Sequence, residues 1–273
     1  KRNFKLFLKR HSGSEELKIV QLFDALDKMK EYDEVQLLQK NKSLKKQQLS
    51  NTKALLYRQL LASLRLIRDE ANIDIQLHEQ MDYARILFNK GLYLQCLKVL
   101  DRMKEMARVN QQLTYLQQVL FFEKKIEALY ITRSMRDRAQ RLAEESEKVH
   151  EQLTLVNTLS SLSLLLYSWY IQHGHARDEK DVKSLSVFFD AQMPPNAAQA
   201  TGFYERMYLY QSYAWYAFIR QDFLSYYRYT QKWVSLFDEF PSLLRIETAQ
   251  YIKGMHNLMG AHFDLMNHEK LAE

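Results

Sequence analysis

Apolar residues recur along this chain at intervals of three and four, the spacing of one face of an α-helix. Leu17, Val20, Phe23, Leu26 and Met29 form one stripe, and Leu56, Leu60, Leu64 and Ile67 form a second. Tyr93, Leu97 and Leu100 open a third. Ser12-Gly13-Ser14 ahead of Glu15 and Glu16 reads as a helix start with acids in the first turn. Weak punctuation at Ser50-Asn51-Thr52 and breaks near Gly91, Asn110, Ser134, Gly174, Pro194-Pro195 and Pro241 divide the chain into about a dozen helices of roughly 12–22 residues. Only 6 Gly and 3 Pro occur in 273 residues, too few for the tight turns of a strand-rich fold. Leu, Gln, Lys, Glu, Arg, Met and Ala, the better helix formers, fill the stretches between. The expectation is an all-α protein.

The spacing of the breaks adds organisation. Turn points near Gly91, Ser134, Arg177 and Gln221 lie 43, 43 and 44 residues apart. A period of this size with two helices inside each unit predicts an α-helical repeat array. One helix pair cannot bury both of its apolar faces, whereas stacked pairs share a continuous core. Two units carry matching residues. Ala84 precedes Gly91 by seven and is followed by Tyr93 and Cys96; Ala214 precedes Gln221 by seven and is followed by Phe223 and Tyr226.

This order of small residue, turn, aromatic and packing residue resembles the tetratricopeptide repeat family, most closely over Leu87–Leu97 and more weakly over 203–240. Tyr226 and Gln221 depart from the family's small residue and glycine, and the units are longer than its usual repeat. The chain also resembles uncharacterised bacterial helical-repeat proteins. The resemblance implies a single elongated domain over 1–273, a right-handed α-α superhelix (solenoid) of antiparallel helix pairs with lengthened repeats. Basic N-terminal helices would occupy 1–68, and tetratricopeptide-like pairs 69–273.

Charge separates the same two regions. Residues 1–68 hold 16 basic and 7 acidic side chains, against 23 and 26 in 69–273. No acid stands between Glu34 and Asp69, while Lys40, Lys42, Lys45, Lys46 and Lys53 accumulate with Arg58, Arg65 and Arg68. Such a patch suits nucleic acid or an anionic surface as well as an ordinary solvated helix face. No named nucleic-acid motif accompanies it, and stacking aromatics are sparse beside it.

Candidate chemistry is thin. The single cysteine, Cys96, excludes an intrachain disulfide framework, and its place in the repeat pattern reads as a buried packing residue. His173 and His175 flank Gly174 at an expected helix end, with solvent-exposed rings. His256, His262 and His268 are six apart, so successive rings turn about 240° around a helix instead of converging. Neither a nucleophile elbow nor a phosphate loop can be assembled from these glycines. Acid pairs such as Glu144-Glu145 diverge as adjacent helical residues. No catalytic residue, metal or cofactor is assigned, and the protein is read as a non-enzyme. No apolar run reaches the ~18–20 residues needed to cross a bilayer. The chain begins at Lys1 without a methionine, which reads as a fragment or processed product, and the cytoplasm is its default compartment.

Fourteen of the 34 aromatic residues crowd into 203–237. In the second helix of that region they share one side. In the first they occupy almost the full circumference, which suits burial on several sides or an aromatic surface offered to a partner. In tetratricopeptide proteins the first helix of each pair lines a concave groove that holds peptides or partner segments. That resemblance selects His78, Met81, Arg85, Phe88 and Asn89 in one unit, and Tyr208, Gln211, Trp215, Phe218 and Ile219 in the other. The implied function is a scaffold that binds a protein or peptide through a groove with aromatic anchors. Its competitor is nucleic-acid or anionic-surface binding through the basic third, which added salt would abolish. End helices of repeat arrays often pair with another copy, so a homo-oligomer stands among the expected partners.

Overall fold

The computed structural model describes residues 1–9, 14–40, 46–65, 72–129 and 137–267, without the side chains of 9, 14–17 and 40. Among these residues are thirteen α-helices, one 3-10 turn and no strand. Expectations placed on Ser12, Gly13, Lys42, Lys45, Ile67, Arg68, Ser134 and His268, and on the side chains of Glu15, Glu16, Leu17 and Lys40, lie outside the described set. No helix of the described residues is long and apolar enough to cross a membrane.

The chain divides into two compact units, Lys1–Ala71 and Asn72–Glu273. In the first, α1 (Arg2–Lys9), α2 (Ser14–Asp27), α3 (Glu34–Lys40) and α4 (Lys46–Arg65) close around Phe4, Leu8, Ile19, Leu22, Leu37, Leu49 and Leu56. Lys1, just ahead of the first helix, and Lys5 within it pair with Asp27 and Asp24 of the second at 2.8 and 2.6 Å. Asp33 starts α3 by accepting from the backbone N–H groups of Val35 and Gln36. The break expected at Ser50-Asn51-Thr52 is absent, since α4 runs straight through it. The Thr52 hydroxyl donates to the Gln48 carbonyl one turn back at 2.8 Å, so a residue that favours turns is accommodated inside the helix. The apolar stripe on α4 also ends sooner than its spacing implies: Leu56 is buried, but Leu64 is exposed.

In the second unit, α5 (Ile73–Asn89), α6 (Tyr93–Val109) and α7 (Leu113–Leu129) are each 17 residues long and pack in sequence, α5 on α6 and α6 on α7. The long helix α8 (Arg138–His173) follows, then α9 (Glu179–Gln192) and a 3-10 turn at 197–199. The chain continues with α10 (Phe203–Ile219), α11 (Phe223–Glu239), α12 (Leu243–Ile246) and α13 (Thr248–Asp264). Breaks at Gly91, Asn110, Gly174, Pro194-Pro195 and Pro241 fall between helices as expected.

Four of these helices end in one kind of turn. Leu92 N–H donates to the Leu87 carbonyl, Gln112 to Ala107, Asp222 to Ala217 and Asn267 to His262, each bond spanning six residues. This is the pattern of a helix closed by one residue in the left-handed region. That residue is Gly91 at φ 73° in the first turn; elsewhere it is Gln111, Gln221 and Met266 at φ 55–58°. Gln221 therefore takes the same left-handed conformation in its turn that Gly91 takes in the first.

Helix α8 departs from the expected lengths. The interval between Ser134 and Arg177, read as a helix pair, holds one helix of 36 residues. No Gly or Pro interrupts 138–173, and the hydroxyls of Thr154, Thr158 and Ser160 turn back onto carbonyls three or four residues earlier. The helix serves two cores in succession. Leu142 and Val149 belong to a cluster with Leu77, Cys96, Leu100, Val119 and Leu120, whereas Leu162 and Leu166 pack with Leu185, Phe189 and Ile219.

Ion pairs lock the first of these cores. Glu123 of α7, 1% exposed, pairs with Lys104 of α6 and lies 3.7 Å from Arg138 of α8. Lys104 also reaches Glu145 at 3.5 Å. Burial pushes the Glu123 carboxyl above its ordinary value, and Lys104 opposes that shift.

Candidate functional site

Helices α5 and α7 flank a cleft of ≈ 570 Å³, within the range of sites that hold small ligands or peptide side chains. Asn72 fixes the start of α5 by accepting from the Ile75 N–H at 3.2 Å. The turns at Gly91 and Gln111 bring α7 back alongside. From α5 the lining residues are Met81, Arg85, Phe88 and Asn89, four of the five residues selected from the first unit. His78 is not among them; it packs edge-on against Tyr115 at 5.2 Å. Met81 is buried and forms the floor, so its contribution is shape.

The opposite wall was not selected from the sequence. It consists of Gln117, Gln118, Phe121, Phe122 and Lys125 of α7. Phe121 is 71% exposed, an unusual position for a large aromatic ring. Phe122 meets Phe88 edge-on at 5.3 Å, and the Lys125 ammonium lies 5.0 Å from the Phe88 ring centre. The Gln117 side-chain oxygen is buried without a hydrogen-bond partner. Arg85 and Lys125 are the charged residues of the lining, and no acid stands among them. Aromatic rings between two cations and a set of amides form a surface complementary to an apolar side chain next to a carboxylate.

The second selected set does not share this geometry. Every residue of α10 is buried or half-buried, because α8 packs on one side of it and α11 on another. Of the aromatic residues at 203–218 Phe203 is buried and the rest are half-buried, packed against the neighbouring cores. Tyr213 stacks on Tyr229 at 4.6 Å and Phe189 on Tyr216 at 4.2 Å. Ile219 is fully buried among Leu162, Leu166, Leu185 and Phe189 and offers no surface to a partner. Tyr208 is half-buried, and burial, followed by the nearby Glu247 charge, raises its hydroxyl pKa. Gln211, Trp215 and Phe218 line a separate, smaller cleft against α11 and α13. Tyr204 donates to Glu247 at 2.7 Å, tying α10 to the start of α13.

Cys96 is wholly buried, its thiol donating to the Ala84 carbonyl at 3.2 Å, and burial raises its pKa. Ala214 and Tyr226 belong to one buried cluster with Ala217 and Ala261. His173 stacks on Trp169. His175, expected at the surface, is half-buried and reaches the Phe218 carbonyl at 3.0 Å, fastening the loop after α8 to α10. Among the described residues no three His, Cys, Asp or Glu side chains gather as metal ligands. In the basic region Lys46 is exposed, while Lys53 hydrogen-bonds Tyr32 and pairs with Glu34 at 3.5 Å. The helix backbone of α3 carries Lys40 to its end.

No family model, curated protein or solved structure matches the chain.

Proposed function

We propose that this protein is a non-catalytic binding module that takes an acidic, aromatic or aliphatic peptide segment into the α5–α7 cleft. The observation that carries this reading is the exposed Phe121 ring set beside Phe88 and Phe122, between Arg85 and Lys125, in a lining without an acid. An apolar side chain of the peptide would enter between the rings, and its carboxylate would face the two cations. Large rings packed around a desolvated anchor supply most of the affinity in such sites, and rim charges supply selectivity and encounter rate. The hairpins α5–α6 and α10–α11 support a tetratricopeptide-like arrangement in which successive pairs stack into a right-handed superhelix.

The test is selection from a random peptide library displayed on phage, with the parent protein and Phe121→Ala in parallel. The reading expects the parent to enrich sequences with Asp or Glu next to Phe, Trp or Leu. It expects binding of the enriched peptides to fall at least about tenfold in Phe121→Ala, a hot-spot loss. Enrichment of basic peptides, or equal binding by both proteins, contradicts it. Salt-labile retention of nucleic acid alone would favour the basic α4 surface, where Lys46, Arg58 and Arg65 are exposed.

A further inference from the structure

The smaller cleft, ≈ 230 Å³ between α10, α11 and α13, has the opposite charge character. We propose that it binds a small alkylammonium ion carrying an oxygen, with the cation held by Asp264 against the rings of Trp215, Phe218 and Tyr226. The volume suits a ligand of roughly seven to eight water-sized atoms, taking about 30 Å³ for each. The lining holds four aromatic residues, with Trp233 the fourth, and contains no Lys or Arg. Aromatic faces beside a carboxylate are the usual means of recognising alkylammonium groups.

Two further observations point to a ligand. Asp264 closes the C-terminal end of α13, where the partial negative charge of the helix end disfavours a carboxylate. Its side chain is exposed and lines the cleft, so it is open to a cation bound there. Trp233 is 1% exposed, yet its indole N–H has no hydrogen-bond acceptor. A buried donor left in that state is costly, and an oxygen on the ligand would satisfy it. The Tyr226 hydroxyl is pushed up to about 12 by burial and by the Asp264 charge, so it stays neutral and able to donate. Gly260 borders the cleft, and a Cβ built there meets nothing within 4 Å, so a large side chain at this position has room to occupy it.

Titration calorimetry and tryptophan fluorescence of the full chain with choline, tetramethylammonium and 3,3-dimethylbutan-1-ol test the site. The last is a neutral counterpart of choline. Choline is expected to bind saturably, more tightly than tetramethylammonium, which lacks the oxygen, and at least about tenfold more tightly than the neutral alcohol. Asp264→Asn is expected to weaken choline about tenfold. Gly260→Leu is expected to abolish binding by filling the cleft while keeping the helical circular dichroism and melting transition of the parent. Phe121→Ala, in the other cleft, leaves choline binding unchanged. Absence of saturable choline binding, equal affinity for the neutral alcohol, or full binding by a folded Gly260→Leu protein overturns the proposal.

Discussion

Helix α13 carries two glycines whose replacement by alanine should act in opposite directions. At Gly254 a new Cβ would lie 3.2 Å from Val234 Cγ2 and 3.3 Å from Trp233 Cε2. Trp233 is fully enclosed and cannot withdraw. The close approach of α11 and α13 therefore depends on the missing side chain. Overpacking of this kind costs about 1–3 kcal/mol, while alanine in a helix interior returns about 1 kcal/mol relative to glycine. The expected net effect of Gly254→Ala is a loss of about 1 kcal/mol. At Gly260 no atom would be met, so Gly260→Ala should gain about 1 kcal/mol from helix propensity alone. Urea unfolding followed by tryptophan emission is suited to the comparison, because Trp169, Trp215 and Trp233 all belong to the second unit. The pair should differ by about 2 kcal/mol, or several degrees in melting temperature for a unit of this size. Equal stabilisation by both substitutions would refute the described contact between α11 and α13.

Gln221→Gly relieves the left-handed conformation but adds unfolded-state entropy and loses the hydrogen bond from Gln221 Nε2 to the Ala176 carbonyl, so it should change stability by less than about 0.5 kcal/mol, whereas Gly91→Ala should cost about 1 kcal/mol; thermal melting reads both. Lys104→Met leaves Glu123 buried without its main counter-charge and should cost about 3 kcal/mol, with much of the loss recovered in Lys104→Met/Glu123→Leu. Additive losses in chemical denaturation would contradict that pairing. Asp222 caps α11, and hydrogen bonds from the Ser225 hydroxyl and backbone N–H lower its pKa. Its contribution is thus complete above the ordinary carboxylate pKa and lost as pH falls through the lower folded value. Asp222→Ala should cost about 1 kcal/mol at neutral pH, a deficit that shrinks in acid when both proteins are melted across pH 2–6.

The helical class and most helix boundaries were readable because apolar spacing, caps and prolines act locally. Gly91 was readable for the same reason: a left-handed turn favours glycine so strongly that the residue marks the conformation. Gln111 and Met266 carry no such mark, since any side chain can occupy that region at about 1–2 kcal/mol when packing compensates. The length of α8 escaped because the 43-residue period implies two helices in every interval, although no Gly or Pro stands between Arg138 and His173 to divide this one. One wall of the larger cleft followed from the face of α5 that holds Arg85, Phe88 and Asn89. The other did not, because Phe121 and Phe122 are adjacent, one exposed and one half-buried, and α7 is apolar on several sides. At Ile219 the same projection failed, because only the structure places α8 and α9 against the end of α10.

The most direct measurement of the binding claim is fluorine NMR of protein labelled with 4-fluorophenylalanine, titrated with an acidic-aromatic peptide enriched by the selection. Single Phe→Tyr variants assign the resonances of Phe88, Phe121 and Phe122. The account predicts that these three shift together and saturate at one peptide concentration. It also predicts that Phe4 and Phe203, buried in other cores, remain in place. Saturable shifts confined to other phenylalanines, with Phe121 unmoved, would contradict the α5–α7 cleft as the binding site.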